Sequence, residues 1–145
     1  MNAIDTNLLV YAVDAAVPEK QLLAQEFLKA LFPQPAPTVL LWQVAVEFCA
    51  VLRKWARMGR IPNDRVDQER QFLMNSYPLI LPTANVIDLS FDLTARYSLS
   101  HWDSLLIASC IEAGIDTLDS EDMGDGAVYD SVTVVNPLKF PAEKS

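Results

Sequence analysis

Four acidic residues stand out in this chain by the company they keep: Asp5, Glu47, Asp103 and Asp122. Asp5 lies between Ala3-Ile4 and Leu8-Leu9-Val10. Glu47 falls on the apolar face of an amphipathic stretch, with Val44, Phe48, Val51, Leu52 and Trp55 around it. Asp103 opens a strongly hydrophobic segment, and Asp122 follows a short β-patterned run. An ionised carboxylate in apolar surroundings costs on the order of several kcal/mol unless it is paired, protonated or metal-bound. Brought together by a fold, four such groups form a carboxylate cage, and hard divalent cations such as Mg²⁺ or Mn²⁺ take oxygen ligands. Each acid also has a plain alternative role. Asp5 suits an Asx turn, Glu47 an ion pair with an arginine or a rim position, and Asp103 a helix N-cap. Asp122, within Asp119-Ser120-Glu121-Asp122, suits a solvated acidic loop, and Glu121 and Asp125 lie near enough in sequence to compete for the place of fourth acid.

The elements that must position these groups alternate between strand and helix. Ala3–Ile4 reads as a short first strand, continued by the Leu8-Leu9 run through a turn. Pro18 to Phe32 carries Leu22, Leu23, Phe27, Leu28 and Leu31 at helical spacing, with proline at the first position; Pro33-Gln34-Pro35-Ala36-Pro37 stops it. Thr38–Leu41 reads as a strand and Gln43–Met58 as a helix closed by Gly59. Asn63 or Asp64 is expected to cap a helix reaching Ser76, and Asn85 one reaching Ser98. Leu79–Leu81 is a strand between them. Ser100 or Trp102 begins a helix ending at Gly114, and Ile115–Leu118 and Val132–Val135 are the last strands. Strands separated by helices of this length imply a mostly parallel sheet with helices on both faces. Ligands in such sheets collect beyond the carboxyl ends of the strands, where Asp5 and Asp122 fall.

The 145 residues fit one domain with a real core. At 51% apolar and 21% charged residues the chain is not of disordered composition. Its apolar runs are broken well short of a membrane span, and Met-Asn-Ala-Ile-Asp lacks the basic start of a signal peptide. Cys49 and Cys110 fall in apolar helical stretches and read as reduced core thiols of a cytoplasmic protein. With His101 the only histidine, histidine-based zinc sites and triads have little to work with. A net charge of −8 argues against a broad basic surface for nucleic acid. The run Arg53-Lys54-Trp55-Ala56-Arg57-Met58-Gly59-Arg60 reads either as a solvated helix end or as a phosphate-contacting patch. Trp102 reads as a wall of the site or the core, with base stacking as the alternative.

The motifs around the four acids resemble those of PIN-domain ribonucleases, especially the VapC toxins of toxin–antitoxin pairs. Ala3-Ile4-Asp5-Thr6-Asn7-Leu8-Leu9-Val10 is similar to the family's opening. Glu47-Phe48, Ser100-His101-Trp102-Asp103-Ser104-Leu105-Leu106 and Ser120-Glu121-Asp122-Met123 are similar to its second, third and fourth motifs, with Ser120 where threonine is commoner. The resemblance covers essentially the whole chain. It implies a single PIN-like domain over residues 1–145, with a three-layer α/β/α fold about a short, mostly parallel sheet. It implies hydrolysis of RNA phosphodiester bonds with Mg²⁺ or Mn²⁺, Asp5 and Asp103 binding the metal most directly and Glu47 and Asp122 completing the set. Thr6, Asn7 and Ser120 would support the site by hydrogen bonds. The implied partners are RNA, a cognate antitoxin protein and a second copy of the chain in a homodimer. The alternative is a PIN-fold module that binds RNA or protein without catalysis. A haloacid-dehalogenase-type phosphotransferase, which also begins strand–Asp, needs an acid at position 7, where this chain has Asn7.

Overall fold

The computed structural model describes residues 1–32 and 37–138. The elements run β1 (Asn2–Ile4), α1 (Thr6–Val13), α2 (Pro18–Leu31), β2 (Thr38–Leu41), α3 (Trp42–Arg57), α4 (Asn63–Ser76) and β3 (Leu79–Ile80). They continue with α5 (Asn85–Tyr97), α6 (His101–Glu112), β4 (Thr117–Asp119), β5 (Val128–Tyr129) and β6 (Val132–Val135). The strands form one sheet in the order β3-β2-β1-β4-β6-β5, parallel except for the β5–β6 hairpin. The chain winds outward from β1 to β2 to β3, then returns to place β4 on the other side of β1. Right-handed crossovers put α1 to α4 on one face of such a sheet and α5 with α6 on the other. Accordingly α1 packs on α2 and α3, α3 packs on α4, and α5 packs on α6.

The central strands are buried on both faces, as a parallel sheet covered by helices requires. Ala3 and Ile4 of β1, Val39 to Leu41 of β2 and Leu118 and Asp119 of β4 are all buried. Helix α3 presents Val44, Ala45, Phe48, Leu52 and Trp55 to this core, spaced to fall along one stripe. Helix α6 is buried almost all round from Ser104 to Cys110, the mark of a helix sunk between sheet and neighbour. Gly114, at φ +73, supplies the left-handed residue that ends it.

Several expectations are corrected. The Leu8-Leu9 run is not a continuation of the first strand but the buried face of α1. Asp5 accepts the Thr6 amide and starts a helix there, and Leu8 and Leu9 fall on its inner side. Asn63 and Asn85 are the first residues of their helices, not caps. Pro62 and Ala84 hold the cap positions without a side-chain hydrogen bond, and at α5 the start is tied instead through Thr83, which donates to the Glu112 carboxylate. The strand β5 is an addition, its two residues too few to show alternation. The hairpin is closed at Asp130, in the left-handed region at φ 54. The Arg96 guanidinium grips its carboxylate in bidentate fashion at 2.6 and 2.7 Å, Tyr97 adds a hydroxyl at 2.7 Å, and these partners hold the acid down at about 2. The Pro33–Ala36 helix stop lies outside the described residues.

Leu118 is fully buried at the centre of β4. Leu118→Ala should therefore cost about 2–5 kcal/mol of stability, read from urea denaturation. A loss under about 1 kcal/mol would mean that the sheet centre is less tightly packed than these contacts require.

Candidate active site and metal centre

The reversal of winding direction between β1 and β4 opens a crevice at the carboxyl ends of those strands, where α/β sheets bind ligands. Asp5 and Ser120 leave the sheet side by side at this point, with Ile4 paired to Asp119 just before them. Asp5 is 9% exposed. Its Oδ1 accepts the Thr6 amide at 2.7 Å and its Oδ2 accepts the Ser120 hydroxyl at 2.7 Å. The same Ser120 oxygen accepts the Asp122 amide at 3.2 Å, so one hydroxyl fixes the loop that carries the fourth acid.

Glu47 arrives from α3. It is half-buried, at the border of the apolar stripe and not within it. Thr6 donates its hydroxyl to Oε2 at 2.9 Å and Gln43 its amide to Oε1 at 3.0 Å. Among the described residues no arginine or lysine pairs with it, so the ion-pair alternative fails. Asp103 arrives from the first turn of α6. The cap of that helix is Ser100, whose hydroxyl oxygen accepts the Asp103 amide at 3.2 Å, which leaves the Asp103 carboxylate free of capping.

These residues share one open pocket of about 400 Å³. Asp5, Glu47, Asp103 and Asp122 all line it, with Thr6, Asn7, Tyr11, Gln43 and Trp102. Of the competing acids, Glu121 turns away to pair with Lys20, and Asp125 accepts the Asn136 amide at 2.8 Å. Ser120 stands behind Asp5, and Asn7 contributes an amide whose Nδ2 and Oδ1 are both buried and without a partner. His101 faces a different groove, between α5 and α6.

Electrostatics mark the pocket as a place for positive charge. Burial pushes the Asp5 carboxyl above its ordinary value, the Ser120 and Thr6 hydrogen bonds oppose that, and the negative charges of Glu47 and Asp122 push it up further. A cation among these groups removes the like-charge penalty. The donor set is oxygen throughout, and Cys110 is a buried thiol pushed up to about 12, mainly by burial, so it stays protonated. The residues therefore fit Mg²⁺ or Mn²⁺ better than zinc. Among the described residues no three acid, histidine or cysteine side chains close on one point. The acids line the pocket without forming a closed cage, so a Mg²⁺ there would keep several waters and bind few of the carboxylates directly.

One contributor to the pocket, Gln43, and one buried acid behind it, Asp119, are not apparent from the four acids alone. Gln43 stands one helical turn before Glu47 and also donates to the Trp102 carbonyl at 3.1 Å, joining α3 to α6; its i−4 spacing was the available signal. Asp119 looks like part of an acidic loop in sequence, yet it is 4% exposed at the end of β4, with Oδ2 lacking a partner. Burial raises it to about 6.

The PIN domain family profile matches residues 3–124. The chain belongs to the PIN-domain family. Solved structures of similar fold include a toxin–antitoxin complex from Klebsiella pneumoniae, at 18% identity and TM-score 0.65, covering 94% of this chain and 98% of that one. VapBC2 from Rickettsia felis, bound to a DNA fragment from its promoter, matches at 13% identity and TM-score 0.68, with 92% and 96% covered. VapC20 from Mycobacterium tuberculosis, a sarcin–ricin loop cleaving toxin, matches at 16% identity and TM-score 0.57, with 84% and 90% covered. At these identities the likeness is one of fold. No curated protein matches the chain in sequence.

Asp119 gives a pH test. It ionises near 3.8 in the unfolded chain and near 6 in the folded one. Between those values the folded protein binds the proton more tightly, so this group's contribution to stability falls as pH rises from about 4 to about 6, and the full penalty persists above. Asp119→Asn should be neutral at about pH 4 and stabilising by about 2–3 kcal/mol at about pH 8, measured by urea denaturation at both. An equal effect at the two pH values would rule out the buried charge as its source.

Proposed function

We propose that this protein is a metal-dependent endoribonuclease, the toxin of a type II toxin–antitoxin module, acting in the cytoplasm. The observation that carries the reading is the convergence of Asp5, Glu47, Asp103 and Asp122, from four separate elements, on one pocket at the β1–β4 switch. Membership of the PIN family and a fold shared with toxin–antitoxin proteins support it.

In this reading Asp5 and Asp103 hold Mg²⁺ or Mn²⁺ most directly, and Glu47 and Asp122 complete the set. When bound, the ion supplies an acidified water and charge neutralisation at the scissile phosphate. The chain's own residues do the positioning. Ser120 holds Asp5 and the Asp122 loop in register, and Thr6 and Gln43 fix the Glu47 carboxylate from two sides. The Asn7 amide, buried without a partner beside Asp5, is a supporting group of the site in this reading.

Protein partners are part of the proposal: an antitoxin, and a second copy forming a homodimer. Two apolar surfaces support this. One is a groove of about 500 Å³ between α2 and α4 with exposed Phe32 and Phe72, and the other is the outer side of α5 with exposed Ile87 and Phe91. Among the described residues no helix is long and apolar enough to cross a membrane. A non-catalytic RNA- or protein-binding module is the second reading, favoured by the open disposition of the acids.

Purified protein should cut RNA with Mg²⁺ or Mn²⁺ and stop with EDTA. Asp5→Asn and Asp103→Asn should each slow cleavage roughly 100-fold or more; undiminished cleavage in either would remove that residue from the site. RNA binding without cleavage in wild type would select the module reading. Glu47→Gln should weaken Mg²⁺ binding about tenfold by calorimetry. It should leave the metal-free melting temperature unchanged or higher, since one like charge is gone.

A further inference from the structure

Of the four acids, Asp122 alone stands neither in a helix nor at the cap of one. It lies in the connection between β4 and β5, residues 120–127, where Gly124 and Gly126 take left-handed backbones at φ +81 and +82. Glycine leaves such a segment conformationally permissive, so the place of the Asp122 carboxylate depends on what fastens the loop. On the upstream side the Ser120 hydroxyl is bonded to Asp5, and Glu121 is paired with Lys20. On the downstream side Met123 is buried, and its carbonyl accepts the Tyr129 hydroxyl at 3.3 Å.

Tyr129 takes its own place from a clamp. β5 is two residues long, and a hairpin of that size holds poorly by itself. Here its turn is fastened to the end of α5. The Arg96 guanidinium donates to both Asp130 carboxylate oxygens, at 2.6 and 2.7 Å. The Tyr97 hydroxyl donates to Oδ1 at 2.7 Å and accepts the Asp130 amide at 3.0 Å. The Tyr97 and Tyr129 rings meet edge to face at 5.3 Å, and Asp92 steadies Arg96 from the preceding turn of α5. A lone exposed ion pair contributes little, but this one is bidentate and backed by a ring pair. Among the described residues the non-glycine residues at positive φ are Ser98 and Asp130, one on each side of the clamp. Left-handed backbone outside glycine persists where its surroundings impose it. The clamp also reaches between layers. α5 packs on α6, which carries Asp103, the one of the four acids outside the hydrogen-bond network around Asp5. Fastening the hairpin to α5 therefore ties the Asp122 loop to the helix pair that presents Asp103.

We infer that the Arg96–Asp130 clamp, acting through Tyr129 on the Met123 carbonyl, holds the Asp122 loop where its carboxylate faces the pocket opposite Asp103. Arg96, Asp130 and Tyr129 are then positioning residues of the site, although none of them lines it. The inference rests on the nuclease reading for the use made of that position, and goes beyond it by naming the device that sets it. Groups behind a metal-binding carboxylate govern affinity by fixing where it points, and here the fixing is done from the far end of a hairpin.

The test pairs amide hydrogen exchange of the metal-free protein with Mn²⁺ binding by calorimetry. Two variants open the clamp gently: Tyr129→Phe keeps the ring, and Asp130→Gly suits the left-handed turn while removing the carboxylate. Leu73→Ala, in the core under α4, serves as a control that only destabilises. Both clamp variants should speed exchange of the loop amides of Asp122 and Ala127, which are hydrogen-bonded in wild type, about tenfold with α3 and α6 unchanged. Mn²⁺ affinity should fall about tenfold, with cleavage restored at saturating Mn²⁺. The double variant should lose no more than Asp130→Gly alone, since the two act through one route; additive losses overturn that route. Unchanged loop exchange overturns the inference, and so does faster exchange spread over the whole protein as in Leu73→Ala. Faster loop exchange with wild-type Mn²⁺ affinity overturns the role in the site and leaves the nuclease reading standing. Absence of Mn²⁺ binding and of cleavage in wild type removes the nuclease reading, while faster loop exchange in the variants would still uphold the clamp's hold on the loop.

Discussion

Asp5 carries its carboxylate into the interior at the point where β1 ends and α1 begins, and the local architecture answers to that fact. A buried charge must be met by donors, and here the donors come from the two directions in which the chain leaves the crevice. The Thr6 amide ties the carboxylate to the start of α1, and the Ser120 hydroxyl ties it to the chain leaving β4. The bond between Asp5 and Ser120 spans 115 positions of sequence. It stitches the two central strands together where the winding of the sheet reverses. Through Ser120 it reaches the Asp122 amide, and through Thr6 it reaches Glu47, so three of the four acids depend on one buried group and its neighbours.

That network concentrates negative charge, while several cations among the described residues are engaged elsewhere. Lys20 takes Glu121 out of contention, Arg96 anchors the β5–β6 turn through Asp130, and Arg60 pairs with Asp14 and lies over the Trp55 ring. The basic run at the end of α3 is thus partly a structural clasp on a solvated helix end, its α3 members beginning about 9 Å along the helix axis from Glu47. The result is a site whose own electrostatics favour a small hard cation and disfavour a polyanion.

Much of the frame was legible because helices of twelve to sixteen residues leave a periodic record. The apolar spacing of α2 and α3, and the Ser100 and Gly114 bounds of the apolar run at α6, mark these helices to within a residue or two, and β2 and β6 show as compact β-branched and aliphatic runs. What was hidden has local causes. The Leu8-Leu9-Val10 run suits strand or helix equally in so short a window, and the Asp5 cap decides for helix. Two-residue β5 has no period to read. Asn63 and Asn85 are good caps that the chain does not use as such, because the preceding turns are fixed by Pro62 and by the Thr83–Glu112 contact. At the site, Asp5, Glu47 and Asp103 could be singled out from their surroundings, but the fourth acid could not be fixed among Glu121, Asp122 and Asp125. That choice turns on the reach of Lys20 and the amide of Asn136, which lie far from this loop in sequence or beyond it.

The sequence by itself determined the kind of chemistry available: oxygen ligands, no usable histidine set, helices and strands in alternation, and acids at positions where an apolar neighbourhood makes a charge expensive. These are properties of residue type and spacing, and they survive without coordinates. Only the tertiary structure decided which of those charges meet. Burial is set by packing across the sheet, so it left Glu47 at the rim of its stripe, released Asp103 from capping by giving that task to Ser100, and sank Asp119 without a partner. Electrostatic coupling falls with distance in space and not along the chain, and so the pocket exists only once the β1–β4 switch has brought its distant contributors together.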